Sequence, residues 1–377
     1  MRLYLMVMII AAAVTFLMTS VMRRLSLEWR VLTPVRERDV HTEPIPRLGG
    51  IAMIVGFTVA LAVASQIPYF EPVFVTKTPW WVLVGAAAIS SLGLVDDVWD
   101  LDWTAKMAGQ ILVAGFLAYQ GVQLVTFPIF GITIGSSSLS LGVTIFIFVA
   151  MMNAVNFVDG LDGLATGVVA IGASAFFIYS YMLTRASGAL TYASTASLII
   201  AALLGICIGF LPHNFHPGSI FMGDSGALGL GTITASAAII VTGQIDPLVL
   251  GDSQLITSFL PIILPIVVLA IPIVDMALAV FRRVKAGHSP FHADRKHLHH
   301  RLLDIGHSHT AVVLLLYLWT AVITFPTVAL LVYSPLTVSL VAIPAFVLTV
   351  VLTINLLPGL KRRKPGKEKS SMVTKSA

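Results

Sequence analysis

Residues 139–184 read LSLGVTIFIFVAMMNAVNFVDGLDGLATGVVAIGASAFFIYSYMLT. Two apolar runs, each about 20 residues and so long enough to cross the hydrocarbon core as a helix, meet at a polar hinge holding Asn153, Asn156, Asp159 and Asp162. The pattern recurs outward in both directions. Of 377 residues, 57% are hydrophobic and 11% charged, whereas a soluble domain is about 25% charged. Soluble α/β architectures are thereby excluded. The single cysteine, Cys207, lies inside an apolar run, which leaves no disulfide framework and no Cys-based metal site.

Apolar length and charge punctuation predict an all-α polytopic membrane protein with about eleven transmembrane helices. They fall near 3–22, 48–67, 79–95, 105–121, 139–157, 164–184, 193–211, 226–243, 255–281, 310–333 and 336–357. Arg23 and Arg24 beyond the first run outweigh Arg2 before it, which argues for an uncleaved helix with its N-terminus outside. Residues 1–360 are predicted to form one transmembrane catalytic domain, and 361–377, KRRKPGKEKSSMVTKSA, a basic disordered cytoplasmic tail attracted to anionic lipid. Segment 122–141 has the alternation and Gly turn of a short hairpin.

The helix count is tested by the positive-inside rule. Lys and Arg collect on one predicted face, with only Arg2, Lys77 and Arg185 opposite. All ten histidines fall on the same face, as do the carboxylates except Glu71, Asp246 and Asp252. Acidic residues contribute little to orientation, so their placement calls for another cause. A cytoplasmic active site at the helix ends supplies it.

Four segments carry the candidate chemistry. In GLVDDVWDLDWTAK, a helix through Asp96, Asp97 and Asp100 would set like charges at i,i+3 and i,i+4. That crowding calls for a cation, and hard oxygens suit Mg²⁺; Asp102, ahead of Thr104, reads equally as a helix cap. In MMNAVNFVDGLDGLATG, polar residues recur every three positions and would face one place, with interhelical hydrogen bonding the alternative for the Asn residues. In FLPHNFHPGSIFMGDSGALGLG, Asp224 directly precedes a predicted helix whose N-terminus would seat an anion, or caps it. The loop 282–309 concentrates Lys296, His297, His299, His300 and Arg301, donors for phosphate and sugar hydroxyls, with zinc binding the competing use. Asp275 stands inside an apolar helix with Arg282 as a candidate partner, and Arg36, Arg38, His41 and Arg47 form a basic wall.

In order along the chain, VHTEPIPRLGG, LVDDVWD, NAVNFVDGLDGLATG, FMGDSG and HLHHR resemble the motifs of the polyprenyl-phosphate N-acetylhexosamine-1-phosphate transferase family, which includes the WecA, TagO and MraY types. HLHHR followed by LLDIGHSH is similar to the WecA/TagO branch, and RERDVH and LPHNFHPG to its actinobacterial versions. The resemblance implies that Asp224, assisted by Asn156, binds Mg²⁺, with Mn²⁺ as substitute. It makes Asp96, Asp97 and Lys106 the catalytic group, Asp96 orienting or deprotonating the lipid phosphate and Lys106 contacting phosphates. It sets Asp159 and Asp162 in the nucleotide pocket, His297, His299, His300 and Arg301 on the sugar-phosphate, and Asn153 and Arg47 at the substrate.

The implied substrates are a UDP-N-acetylhexosamine, first UDP-N-acetylglucosamine, and a polyprenyl phosphate. A homodimer is compatible with this reading, and no nucleic acid is expected. Direct attack of the lipid phosphate on the β-phosphorus, expelling UMP, is the simplest route, while a covalent aspartyl intermediate on Asp96 or Asp97 stays open. A phospho-MurNAc-pentapeptide transferase is the alternative within the family. A transporter of nucleotide-sugar or lipid-linked sugar is the alternative outside it, disfavoured because the polar groups gather at one face instead of the midplane.

Overall fold

The computed structural model describes residues 1–28, 45–124, 137–187, 192–242, 270–285 and 298–355, with Val267 and Gly287. The predicted hairpin lies outside the described residues over 125–136, and its end, 137–141, is instead the start of a helix. The basic tail, His297, Arg36, Arg38 and His41 also lie outside the described residues. Among the described residues the chain forms α1 (Arg2–Glu28), α2 (Gly49–Ala64), α3 (Glu71–Val75), α4 (Thr78–Trp99), α5 (Trp103–Tyr119), α6 (Ser137–Val158) and α7 (Leu164–Ser187). These are followed by α8 (Tyr192–Asn214), α9 (Gly223–Thr242), α10 (Ala270–Lys285), α11 (Leu298–Asp304), α12 (His309–Ala329) and α13 (Pro335–Asn355).

Each predicted crossing has a helix within it among the described residues, though of 255–281 only Val267 and 270–281 are described. Eight of them, α1, α4, α6, α7, α8, α9, α12 and α13, are long and apolar enough to cross a membrane. This is a multi-pass membrane protein. α2 ends at Ala64, and Pro68 opens a 3-10 turn (Pro68–Phe70) leading into α3, so the two pieces meet at 96° in place of one straight span to 67. The proline accounts for the break, since it lacks the N–H that a continuing helix needs.

α9 is the hub. It is buried along its length, packed on α2, α4, α6 and α8, and its GALGLG segment shows how. A Cβ added at Gly229 would stand 2.5 Å from Ser90 Oγ on α4, and one at Gly231 would stand 2.6 Å from Met152 Cα on α6. Only small residues let helix backbones approach this closely where lipid offers no hydrophobic drive. Cys207 is buried in the core.

One polar pair inside the bundle satisfies itself across two helices. Gln110 on α5 and Asn153 on α6 exchange two amide hydrogen bonds, Asn153 Nδ2 donating at 2.6 Å and Gln110 Nε2 at 3.4 Å. Asn153 therefore joins two helices in the way the interhelical alternative describes. The four polar residues of the hinge do not share one stripe, because α6 ends at Val158 and leaves Asp159 and Asp162 in the following turn.

Candidate active site

The site is built where α9 begins. Backbone pairing brings two motifs together: Gly49 and Gly50 N–H donate to the carbonyls of Phe221 and Met222 at 3.0 Å each, and Phe221 N–H donates to Pro46 at 2.8 Å. PRLGG and FMGDSG thus form one floor. Asp224 falls in the first turn of α9, which starts at Gly223, one turn position inside the helix instead of ahead of it.

The cap comes from another helix. Asp97 on α4 accepts from the backbone N–H of Asp224 and of Ser225, both at 3.2 Å. These are first-turn amides without an intrahelical acceptor, so Asp97 fixes the direction in which Asp224 projects. Gly93, one turn earlier on α4, allows this contact, since a Cβ there would lie 2.5 Å from the Asp224 carbonyl carbon.

Asp224 then meets three side chains. Asn156 Nδ2 donates to its Oδ1 at 2.8 Å, Lys106 Nζ bonds its Oδ2, and the same ammonium reaches Asp96 Oδ2 at 2.9 Å. Asp96 Oδ1 also accepts from Leu101 N–H at 2.9 Å. Asp100 is not on the helix with Asp96 and Asp97: the helix ends at Trp99 and Asp100 closes it in the left-handed conformation (φ 52°). Asp102 is the N-cap of α5, accepting from Thr104 N–H at 3.1 Å.

Four carboxylates, Asp96, Asp97, Asp159 and Asp224, interact electrostatically here with two cations, Lys106 and Arg47. The group is short of positive charge. Burial, and after it the negative charge of Asp224, pushes the Asp159 carboxyl up to about 8. The donor set, several carboxylate oxygens and one carboxamide beside a helix N-terminus, fits a hard divalent cation that prefers oxygen ligands.

A second cluster lies beside it. Asp162, buried, accepts from Gly218 N–H at 3.0 Å and pairs with His216 Nδ1 at 3.1 Å. Its own N–H donates to His309 Nε2 at 3.3 Å, and the two imidazoles stack with centroids 4.3 Å apart. Asn214 ties the same turn down: its Oδ1 accepts from Gly163 N–H (3.2 Å) and Thr166 Oγ1 (2.9 Å), and its Nδ2 donates to Ile220 (3.1 Å). Tyr317 on α12 donates to the Gly163 carbonyl. Gly163 has φ +77°, which a side chain would strain.

The structure thus gathers Asp96, Asp97, Lys106, Asn156, Asp159 and Asp224 in one group and puts Asp162 next to it. Asn153 sits on Gln110. Of the histidine group, His299 is buried with its ring against Gly160, the His300 ring lies beside it, tilted by 44° with centroids 4.4 Å apart, and Arg301 is exposed. Sequence reasoning assigned no role to Gln110, Asn214, Tyr317 or His309. A polar residue within an apolar run, and an Asn at a helix end ahead of His and Pro, are the signals that marked the first two.

A glycosyl transferase family 4 model matches residues 79–242, the stretch from α4 through α9. A Mycobacterium leprae protein named decaprenyl-phosphate N-acetylglucosaminephosphotransferase is 39% identical over 94% of this chain and 89% of its own length. A Bacillus subtilis protein named "Probable undecaprenyl-phosphate N-acetylglucosaminyl 1-phosphate transferase" is 32% identical over 82% and 80%. A Desulforudis audaxviator phospho-N-acetylmuramoyl-pentapeptide-transferase is 30% identical over 81% and 92%. With two fifths of its residues shared across nearly its whole length with the first of these, the chain belongs to the polyprenyl-phosphate N-acetylhexosamine-1-phosphate transferase family, on its WecA/TagO side.

Proposed function

We propose that the protein transfers N-acetylglucosamine-1-phosphate from UDP-N-acetylglucosamine to decaprenyl or undecaprenyl phosphate, releasing UMP, at the cytoplasmic face of the cell membrane. This would be the first membrane step of a cell-envelope polysaccharide. The observation that carries the reading is the shared ammonium: Lys106 joins Asp96 and Asp224, on α4 and α9, while Asn156 from α6 completes the group. Three motifs far apart in the chain thus form a charged centre at one end of an apolar bundle.

Asp224 and Asn156 are the residues that would hold Mg²⁺, or Mn²⁺ in its place. When bound, the ion supplies charge neutralisation for the donor diphosphate. Lys106 contributes a mobile positive charge to the phosphates, and Asp96 orients the lipid phosphate or accepts its proton. Asp97 holds the α9 turn. Asp159 and Asp162 border the nucleotide, and the His299–Arg301 group reaches the sugar-phosphate. The lower identity to the MurNAc-pentapeptide enzyme ranks that donor second.

A phosphate monoester with a second pKa near 6 is mostly a dianion at neutral pH. Such a nucleophile needs no covalent help from the protein, which favours one-step displacement. Labelled UMP is therefore expected to exchange into UDP-N-acetylglucosamine only when polyprenyl phosphate is present. Robust exchange in lipid-free enzyme would overturn the one-step route, because a covalent first half-reaction is independent of acceptor.

The orientation has its own test. In a Cys207→Ala background, Asp102→Cys and Gly218→Cys are expected to react with an impermeant maleimide only from the cytoplasm, and Thr76→Cys only from outside. Reversed labelling would remove the cytoplasmic placement.

A further inference from the structure

Asp275 lies within α10 and is 2% exposed, although an ionisable group among apolar helices is costly unless it has a specific task. Its Oδ1 accepts from the backbone N–H of Leu298 at 2.8 Å, 23 positions along the chain. Leu298 is the first residue of α11, where N–H groups lack acceptors within the helix. A carboxylate from another helix therefore supplies the cap of the short segment that carries His299, His300 and Arg301.

Two further contacts fix where that segment points. At Gly160, in the turn between α6 and α7, any side chain would overlap the His299 ring, so the imidazole rests directly on the backbone of the hinge. Arg283, on the same helix as Asp275, stands 5.4 Å from the Phe157 ring centroid, next to Asn156. α10 packs along α6, so it is fastened to the end of α6 by Arg283 and to the start of α11 by Asp275.

We infer that Asp275 is a positioning residue for the transfer reaction: it sets the start of α11 and thereby holds the His299–Arg301 group against the Asn156–Asp162 turn. The inference rests on the proposed function for what those side chains do, but the cap itself can be measured without it. A helix of seven residues has little stability of its own, so its placement depends on such anchors. Displacement of about 1 Å in a site of this kind can lower rate about 100-fold.

The test compares Asp275→Leu, which removes the acceptor, with Asp275→Asn, which keeps an oxygen for the Leu298 amide. For the Leu variant, kcat/KM for UDP-N-acetylglucosamine is expected to fall about 100-fold while Mn²⁺ affinity at the Asp224 site stays unchanged. Amide exchange over 298–304 should accelerate in the Leu variant alone, and the Asn variant should stay within about fivefold of the parent rate. Full activity in the Leu variant, an Asn variant as impaired as Leu, or unchanged exchange over 298–304 would each overturn the inference.

Should the Leu variant fail to fold, Gly160→Ala decides, since it displaces His299 from the other side. Loss of turnover with intact Mn²⁺ binding supports the inference, and unchanged turnover defeats it. If the parent protein makes no lipid-linked sugar at all, the proposed function fails separately, and protection at 298–304 still reports on the cap.

Discussion

Asp224→Asn is expected to lower kcat by about three orders of magnitude, equivalent to about 4 kcal/mol of transition-state stabilisation. The carboxamide has nearly the same shape and keeps an oxygen for Asn156 Nδ2, now at 2.8 Å. What it loses is the charge opposite Lys106 and the anionic ligand for a divalent cation. Asp97 still caps the α9 turn through backbone N–H groups, so the fold should be preserved. Size-exclusion behaviour and melting temperature are expected to match the parent closely, while Mn²⁺ binding followed by electron paramagnetic resonance should be strongly weakened. A variant that turns over normally with Mg²⁺ would show that Asp224 only serves the helix terminus.

Lys106→Met should cost about 100-fold in kcat, with the opposite effect on the metal. Methionine keeps an unbranched stem of similar length but removes the ammonium that Asp96 holds at 2.9 Å and Asp224 shares. The remaining cluster is more negative. Mn²⁺ should therefore bind as tightly as in the parent or more tightly, while turnover falls because the phosphates lose their cationic partner. The pair of results separates Lys106 from Asp224: one variant loses metal and rate, the other rate alone. Collapse of Mn²⁺ binding in Lys106→Met would instead make the lysine a strut of the metal site.

Eight of the eleven expected crossings were legible because apolar length is a direct physical requirement of the bilayer. Their ends were less so. Counting apolar residues carried the second helix through Ser65 and Gln66, although Pro68 marks where it had to break. α10 was expected to stop at 281 and runs to Lys285, with Arg282, Arg283 and Lys285 in a last turn where cations favour the helix dipole.

The site was legible as a set of motifs at one face but not as a set of contacts. Spacing of three suggested that Asn153, Asn156, Asp159 and Asp162 face together, yet the helix ends between the second and third. Their partners are Gln110 for Asn153, Asp224 for Asn156 and the His216–Gly218 loop for Asp162. Pairings across 43 to 68 positions depend on helix packing, which no local period encodes. The same holds for Asp275, whose partner is the Leu298 amide in addition to any neighbouring arginine. A backbone N–H is invisible in a search for complementary side chains.

The central claim is chemical and has a direct measurement. Purified protein in detergent, supplied with Mg²⁺ and decaprenyl phosphate, is offered UDP-N-acetylglucosamine, UDP-N-acetylgalactosamine and UDP-MurNAc-pentapeptide in turn, and the lipid fraction is read by mass spectrometry. The expected product is decaprenyl diphosphate bearing one N-acetylglucosamine, formed with one UMP per lipid and abolished by chelation of the metal. A lipid fraction unchanged in mass with every donor, or a product carrying MurNAc-pentapeptide alone, would contradict the account.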